Sequence, residues 1–193
     1  ISGIGNWAGF IYSNTQSNIG VQNFTTASSG GASLAGGWLC YNSFGRGGTG
    51  CFMTNCTNNA IVNGNDCGGL CGPDVAGAGG VVSITNCTNN GSLTYFNGGI
   101  TGTNCALNGG IITITNCINN GTINGNYCGG ITGYNCATNG GNINFINCTN
   151  NGNILGDSTG GICGQGCGVF NGNGGGCVTF TNCINTADIS ANW

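Results

Sequence analysis

Charged side chains are scarce in this sequence. It contains one basic residue, Arg46, and four acidic ones, Asp66, Asp74, Asp157 and Asp188, with no Lys, Glu or His. Nucleic-acid binding requires clustered Lys and Arg that displace counterions from phosphates. Attraction to an anionic membrane surface requires similar clusters. We therefore expect neither nucleic acid nor a charged membrane surface among its partners.

The same shortage limits catalysis and metal binding. General acid–base catalysis usually relies on His, Glu, Asp, Lys, Tyr or Cys, and no two Asp residues lie within seven positions of each other. A zinc site would have to consist of Cys alone or of Cys with Asp. No apolar run approaches the length of a membrane span. We therefore expect no enzymatic activity, no cofactor, no metal and no membrane insertion.

Glycine, asparagine and cysteine are abundant instead. The 193 residues include 43 Gly and 15 Cys but only one Pro. This Cys content is near the level of disulfide-stabilised domains, which belong to oxidising compartments. An odd count leaves at least one thiol free or paired with another chain. The alternative is that the Cys residues are reduced and buried, where they pack as small hydrophobic side chains.

An internal repeat organises the chain. The dipeptide Asn-Cys recurs at steps of 31, 30, 31 and 35 residues, with the Cys at Cys56, Cys87, Cys117, Cys148 and Cys183. A large apolar residue stands three positions before each Cys, in the order Met53, Ile84, Ile114, Phe145 and Phe180. A Gly-Gly pair precedes Leu70, Ile100, Ile131 and Ile162. Toward the N-terminus the pattern weakens, and it aligns Phe24 with Met53, and Trp38 and Phe10 with Leu70.

Within one repeat the apolar residues alternate with polar ones. Residues 111–115, 121–125 and 129–133 read as three short strands separated by Asn and Gly turns. A single repeat cannot bury its apolar residues, whereas stacked repeats place them in continuous interior columns. The sequence therefore predicts an all-β fold, a parallel β-helix (β-solenoid) of about six coils of about 31 residues with three strands each. Residues 1–193 would form one domain, with partial coils at 1–20 and 177–193.

Stacked repeats would also align identical Asn side chains. Amides at strand spacing can each donate to one neighbour and accept from the other. The predicted Asn ladder comprises Asn55, Asn86, Asn116, Asn147 and Asn182.

Two stretches carry a resemblance to a known family. Residues 97–105 read Asn-Gly-Gly-Ile-Thr-Gly-Thr-Asn-Cys, and residues 110–125 read Gly-Ile-Ile-Thr-Ile-Thr-Asn-Cys-Ile-Asn-Asn-Gly-Thr-Ile-Asn-Gly. They resemble the GLUG-type repeats of bacterial adhesins and other surface proteins, well over residues 51–193 and weakly over 1–50. The resemblance implies an extracellular β-helix that serves in adhesion or surface structure. It supplies no catalytic residues, and the high Cys content departs from the usual pattern.

The two ends of the repeat array suggest self-assembly. Neither end shows the atypical polar cap that keeps solenoids monomeric, and an uncapped end is an unpaired strand edge. The partial coils sum to roughly one repeat, so head-to-tail contacts could complete a shared coil and build a filament. The residues expected at these assembly ends are Ile1, Trp7, Phe10, Phe180, Ile189 and Trp193.

Cysteines on neighbouring coils also fall into columns. Besides the Asn-Cys column, Cys105, Cys136 and Cys167 align. Stacked Cα atoms about 4.8 Å apart are within disulfide range, so coil-to-coil links are candidates, as are Cys163–Cys167 and Cys67–Cys71 within a coil. Glycosylation sequons occur at Asn23, Asn90 and Asn120 among others. A ladder Asn is not expected to carry a glycan.

Three functions compete. The first is a secreted cell-surface appendage, in which the chain is the subunit of a head-to-tail homopolymer. The second is an adhesin segment that binds glycans or a host surface, with Tyr12, Tyr41, Tyr95 and Tyr134 available to stack on sugars. The third is ice binding through outward rows of Ser83, Thr85, Thr113, Thr115, Thr179 and Thr181, which Asn144 and Ile146 interrupt. Outward Thr is also ordinary in strands.

Overall fold

A computed structural model of the chain shows a parallel β-solenoid. The structure describes residues 9–13, 15, 17–27, 36–169 and 174–190, and this part of the chain contains strands and turns but no helix. The predicted all-β solenoid fold is therefore confirmed. Of the expected assembly ends, Ile1, Trp7 and Trp193 lie outside the described residues.

Three parallel sheets run along the solenoid, and each of the last five coils contributes one strand to each sheet. The first sheet contains β2 (Gly20–Gln22), β4 (Cys51–Thr54), β7 (Val81–Thr85), β10 (Ile111–Thr115), β13 (Asn142–Ile146) and β16 (Cys177–Thr181). The second contains β5 (Thr57–Asn58), β8 (Thr88–Asn89), β11 (Ile118–Asn119), β14 (Thr149–Asn150) and β17 (Ile184–Asn185). The third contains β6 (Val62–Asn63), β9 (Leu93–Thr94), β12 (Ile123–Asn124), β15 (Ile154–Leu155) and β18 (Ile189–Ser190). Near the N-terminus, β1 (Ile11–Ser13) pairs with β3 (Cys40–Asn42).

The register of the first sheet explains the repeated apolar residues. Ile112 pairs with Val82 on one side and Ile143 on the other, and Ile114 pairs with Ile84 and Phe145. These side chains are buried, while the residues between them face outward. Because side chains alternate along a strand, every second residue enters the interior. The columns of Ile, Val, Met and Phe thus form the core.

The prediction that residues 129–133 form a strand is wrong. Residues 129–133 form only isolated bridges, from Gly129 to Gly98 and Gly160, and from Thr132 to Thr101 and Cys163. We call this fourth side of the coil the glycine side. A Cβ on Gly130 would lie 2.1 Å from the carbonyl oxygen of Gly161, so the backbones are too close for a side chain there. The structure also contains a strand that the prediction lacked, the second-sheet strand after each Asn-Cys.

Two N-terminal alignments of the repeat were also wrong. Val21, not Phe24, pairs with Met53. Leu39, not Trp38, occupies the column of Leu70, since Cys40 pairs with Cys71. In both cases the first coils depart from the spacing of the later ones, so the large residue at the expected spacing is not the one that occupies the column.

The last step of the repeat is four residues longer than the 31-residue step before it. The register nevertheless continues in all three sheets, because Phe145 pairs with Phe180, Asn150 with Asn185 and Ile154 with Ile189. On the glycine side, Gly168 still donates its backbone N–H to the Cys136 carbonyl oxygen. The four additional residues therefore fall between Gly168 and β16.

Candidate functional site

The predicted Asn ladder forms on the surface at the corner after the first sheet. Its side-chain amides donate from each coil to the preceding one, with Nδ2–Oδ1 distances of 3.2 Å from Asn86 to Asn55, 3.1 Å from Asn116 to Asn86 and 3.1 Å from Asn147 to Asn116. Asn182 continues it at 3.3 Å, and Asn23 accepts from Asn55 at 3.1 Å. We call this set the outer ladder.

Backbone geometry explains why Asn recurs at this corner. Every member of the outer ladder has a positive φ, between 52° and 57°. Among residues with a side chain, Asn tolerates this left-handed conformation better than most. One residue type thus serves both the turn and the side-chain hydrogen bonds.

A second ladder, which was not predicted from the sequence, lies inside the solenoid. Its members are Asn58, Asn89, Asn119, Asn150 and Asn185, and all but the last are fully buried. Asn89 donates to Asn119 Oδ1 at 2.8 Å, and Asn119 donates to Asn150 Oδ1 at 2.8 Å. Each amide also donates to the carbonyl oxygen two residues further on, for example Asn119 to Gly121 at 2.9 Å. Both amide donors are therefore satisfied in the core. We call this set the inner ladder.

The two ladders run in opposite directions. Inner-ladder amides donate toward the C-terminal coil, whereas outer-ladder amides donate toward the N-terminal coil. The inner ladder begins at Thr26, whose hydroxyl donates to Asn58 Oδ1 at 2.7 Å. The sequence signal for this ladder was present, because an Asn follows each Cys of the Asn-Cys column by two positions. Three of these five Asn open an Asn-Asn-Gly segment, which is equally typical of a turn, and this concealed their buried role.

Two of the predicted glycosylation sites belong to a third ladder. Asn120 donates to Asn90 at 2.8 Å, and Asn90 donates to Asn59 at 2.7 Å. The remaining site, Asn23, is part of the outer ladder. A glycan on any of these would attach to a nitrogen that stands within or at the end of an amide stack. Glycosylation at these positions stays a prediction.

The Cys columns contain thiols in this structure. Cys163 and Cys167 form a disulfide, and the other described Cys residues, including Cys67 and Cys71, are thiols. The coil-to-coil disulfides proposed for two columns do not form here: Cys56, Cys87, Cys117, Cys148 and Cys183 are thiols, as are Cys105 and Cys136. In the Asn-Cys column each thiol donates to the carbonyl oxygen two residues earlier, for example Cys87 to Thr85 at 3.3 Å. The thiols therefore point at backbone acceptors.

Burial makes several of the described thiols hard to ionise. Desolvation raises the pKa of Cys40 and Cys67 to about 12 and that of Cys128 and Cys148 to about 11. The pKa of Cys87 rises to about 12, chiefly through its contact with the Cys117 thiol. A nucleophilic Cys requires the opposite shift. These residues act as small core side chains.

The last coil exposes apolar side chains that are buried on the coils before it. Phe180 is 53 % exposed, whereas Phe145, its partner on the preceding coil, is 0 % exposed. Ile189 is 41 % exposed and its partner Ile154 is 0 % exposed. Within the described residues, no strand pairs with the outer side of β16, β17 or β18. We call these three strands the C-terminal edge.

Other candidate surfaces are less regular. The outward rows considered for ice binding place Phe52, Ser83, Thr113, Asn144 and Thr179 in one column, so an aromatic ring and an amide interrupt the hydroxyls. Tyr12 stacks on Tyr41 with ring centroids 5.0 Å apart. The one basic residue is used locally, since Arg46 Nε donates to Asp74 Oδ2 at 2.6 Å.

No family model, no curated protein and no solved structure matches the chain. In the part of the chain that the structure describes, no helix is long and apolar enough to span a membrane. Across the same residues, no group of three or more His, Cys, Asp or Glu side chains is arranged to hold a metal ion.

Proposed function

We propose that this chain is a structural subunit of an extracellular, cell-surface filament, built by head-to-tail stacking of β-solenoids. The observation that carries the proposal is the C-terminal edge. Within the described residues no strand pairs with the outer side of its three strands, and they present Phe180 and Ile189 where the coil before them buries the equivalent residues. An open strand edge with apolar side chains is a template for another chain.

The opposite end of the described solenoid offers a complementary surface. β2 is the other outermost strand of the first sheet, and it carries Val21 in the interior column that ends at Phe180. β1 (Ile11–Ser13) lies beside β3 (Cys40–Asn42) and belongs to the glycine side of one further coil. Within the described residues, no first-sheet strand belongs to that further coil. The last coil has the three sheet strands. In a head-to-tail stack, β16, β17 and β18 of one chain and β1 of the next could therefore form one shared coil.

The amide ladders add a direction to this contact. At the C-terminal edge, Asn182 uses its amide nitrogen as a donor, and its Oδ1 has no hydrogen bond within the described residues. At the other end, Asn23 accepts through Oδ1, and its Nδ2 has no hydrogen bond within the same residues. Stacking head to tail would place the Asn23 donor against the Asn182 acceptor. A tail-to-tail contact would instead oppose two Asn182 acceptors.

The surface location rests on the resemblance to GLUG-type repeats of adhesins and other surface proteins. The low charge of the chain fits a structural role, since it offers few groups for catalysis or for binding polyanions. A heterologous contact that does not close on itself produces an open fibre.

Electron microscopy and sedimentation of the purified chain test the proposal, together with two matched variants. Phe180→Asp places a carboxylate in the contact, where burial without a partner is costly. Ile111→Asp places the same carboxylate on the outward face of the first sheet, where Ile111 is 37 % exposed. We expect fibres from the wild type and from Ile111→Asp. Their subunit repeat should be about 30 Å, or about six coils at strand spacing.

Phe180→Asp should yield folded monomers, which circular dichroism would verify. A wild-type chain that is folded yet stays monomeric at high concentration contradicts the proposal. So do fibres that form equally well from Phe180→Asp.

A further inference from the structure

A groove with aromatic and polar walls lies on the side of the solenoid. It has a volume of about 450 Å³ and is lined by Asn65, Asp66, Phe96, Tyr127, Tyr134 and Gln165. One wall is the turn after the third sheet, which carries Asp66, Phe96 and Tyr127. The other is the C-terminal end of the glycine side, which carries Tyr134 and Gln165. The residues come from four successive coils, so the groove follows the solenoid axis for about 14 Å, or three strand spacings.

The three rings form one continuous cluster. Phe96 and Tyr127 are stacked, with centroids 5.4 Å apart and planes inclined by 17°. Tyr127 also contacts Tyr134, with centroids 5.6 Å apart and planes inclined by 53°. Phe96 is 36 % exposed and Tyr134 is 39 % exposed. Rings held this way offer apolar surface without having to reorganise on binding.

The ring stack stops where polar residues begin. Gly68 pairs with Gly98, Gly98 with Gly129 and Gly129 with Gly160. The residues two positions earlier are therefore aligned as well, so the column reads Asp66, Phe96, Tyr127 and Ser158. The coil beside Phe96 thus has a short carboxylate where the stack would continue, which leaves room for one more flat group.

Polar groups border that space. Asp66 Oδ1 accepts a hydrogen bond from the Thr103 hydroxyl at 3.1 Å, which holds the carboxylate in place. Asn65 at the same end and Gln165 at the other are exposed amides, and each provides both donors and an acceptor. The lining contains no basic residue and a single acidic one, so it suits neither an anion nor a multivalent cation.

We propose that this groove binds a neutral saccharide. A sugar ring has an apolar C–H face that packs on an aromatic ring, and hydroxyl groups that need both donors and acceptors at its rim. Small-ligand sites commonly combine apolar walls with a few placed polar groups in this way. An organic cation would use the rings and Asp66 but would leave the two amides without a role. The site is independent of filament assembly, because it includes no residue of the C-terminal edge.

Titration of the whole chain with neutral tetrasaccharides tests the proposal. The probes are cellotetraose, tetra-N-acetylchitotetraose and mannotetraose, and binding is followed by calorimetry and by the NMR signals of the Tyr rings. Tyr127→Ala should weaken binding of the best probe about tenfold, which corresponds to the loss of one aromatic stacking contact. Tyr134→Ala and Asp66→Asn should each weaken it by about threefold or more.

Tyr95→Ala is the matched control. Tyr95 and Tyr127 both have a positive φ, 74° and 61°, so either change to Ala meets a similar backbone cost. Tyr95 is 57 % exposed and does not line the groove, so its removal should leave affinity unchanged.

Three results overturn the proposal. One is that none of the three probes binds at millimolar concentration. Another is that Tyr127→Ala binds as tightly as Tyr95→Ala. The last is that tetramethylammonium binds more tightly than every saccharide, which would assign the groove to a cation.

Discussion

The ring of Phe145 stacks on that of Phe180, with centroids 5.1 Å apart and planes inclined by only 5°. The two residues occupy the same place on successive coils, yet Phe145 is fully buried and Phe180 is half exposed. Coil stacking alone makes this difference. The exposed half of the Phe180 ring is the surface that a further coil would cover.

Truncating the two rings should therefore have unequal effects. Phe145→Ala creates a cavity in the core and should cost about 3–5 kcal/mol of unfolding free energy. Phe180→Ala should cost about 1 kcal/mol in a dilute, unassembled chain, because half of its ring is already in water. Urea titration at low protein concentration measures both. Equal losses would show that Phe180 is covered even without a partner.

The inner ladder should contribute more to stability than the surface ladders. Asn119→Ala leaves the Asn89 donor, the Asn150 acceptor and the Gly121 carbonyl oxygen without their partner. Each buried polar group left unpaired costs about 1–3 kcal/mol, so we expect a loss of at least about 3 kcal/mol. Asn120→Ala, one residue away, removes an exposed ladder amide and should cost less than about 1 kcal/mol. Thermal and urea unfolding of the two variants give the comparison, and similar losses would contradict the assigned roles.

Glycine is required at the glycine side for space and elsewhere for conformation. Gly130→Ala would place a Cβ 2.1 Å from the Gly161 oxygen and 2.4 Å from Asn150 Cγ. We expect a loss of at least about 3 kcal/mol, because backbone must shift. Gly109 has φ +80°, but an added Cβ would meet nothing within 4 Å, so Gly109→Ala should cost only about 1–2 kcal/mol of strain. If the two variants melt at the same temperature, close packing is not the reason for the glycine columns.

Stability should fall at alkaline pH because of the buried thiols. Burial and thiol contacts raise the pKa values of Cys40, Cys67, Cys87, Cys128 and Cys148 to about 11–12. An unfolded chain would release these protons near pH 8.5. The contribution is therefore intact below about pH 8.5 and is lost as pH rises toward the folded values, by up to about 1.4 kcal/mol per pH unit for each thiol.

Urea unfolding under reducing conditions at pH 7, 9 and 10.5 measures this dependence. Cys87→Ala should be offset from the wild type by a constant amount below pH 8 and should have a shallower slope above pH 9. Parallel curves throughout that range would mean that the Cys87 thiol ionises as easily in the folded chain as in the unfolded one.

The repeat made the fold predictable. The burial of the inner ladder and the close backbone packing of the glycine side were not predicted. Apolar residues such as Ile112 and Ile114 recur in register and alternate with polar ones, so period and burial indicate the same strand. Asn119 also recurs in register, but its burial is not readable, because a fully buried amide and a turn amide look alike in sequence. Gly129 and Gly130 have no side chains whose alternation could reveal their pairing. The stacking of Phe96 and Tyr127 depends on the alignment of two non-identical residues, which a search for repeated letters does not detect.

The long final step of the repeat shows where foreign sequence could be carried. Four additional residues enter between Gly168 and β16, and Phe145, Asn150 and Ile154 keep their partners on the next coil. Additional residues between Gly168 and β16 therefore do not disturb the pairing of the three sheets. A peptide tag or epitope grafted there would leave this pairing intact. If the subunits assemble as proposed, the graft would recur once per subunit and convert the fibre into an evenly spaced display scaffold.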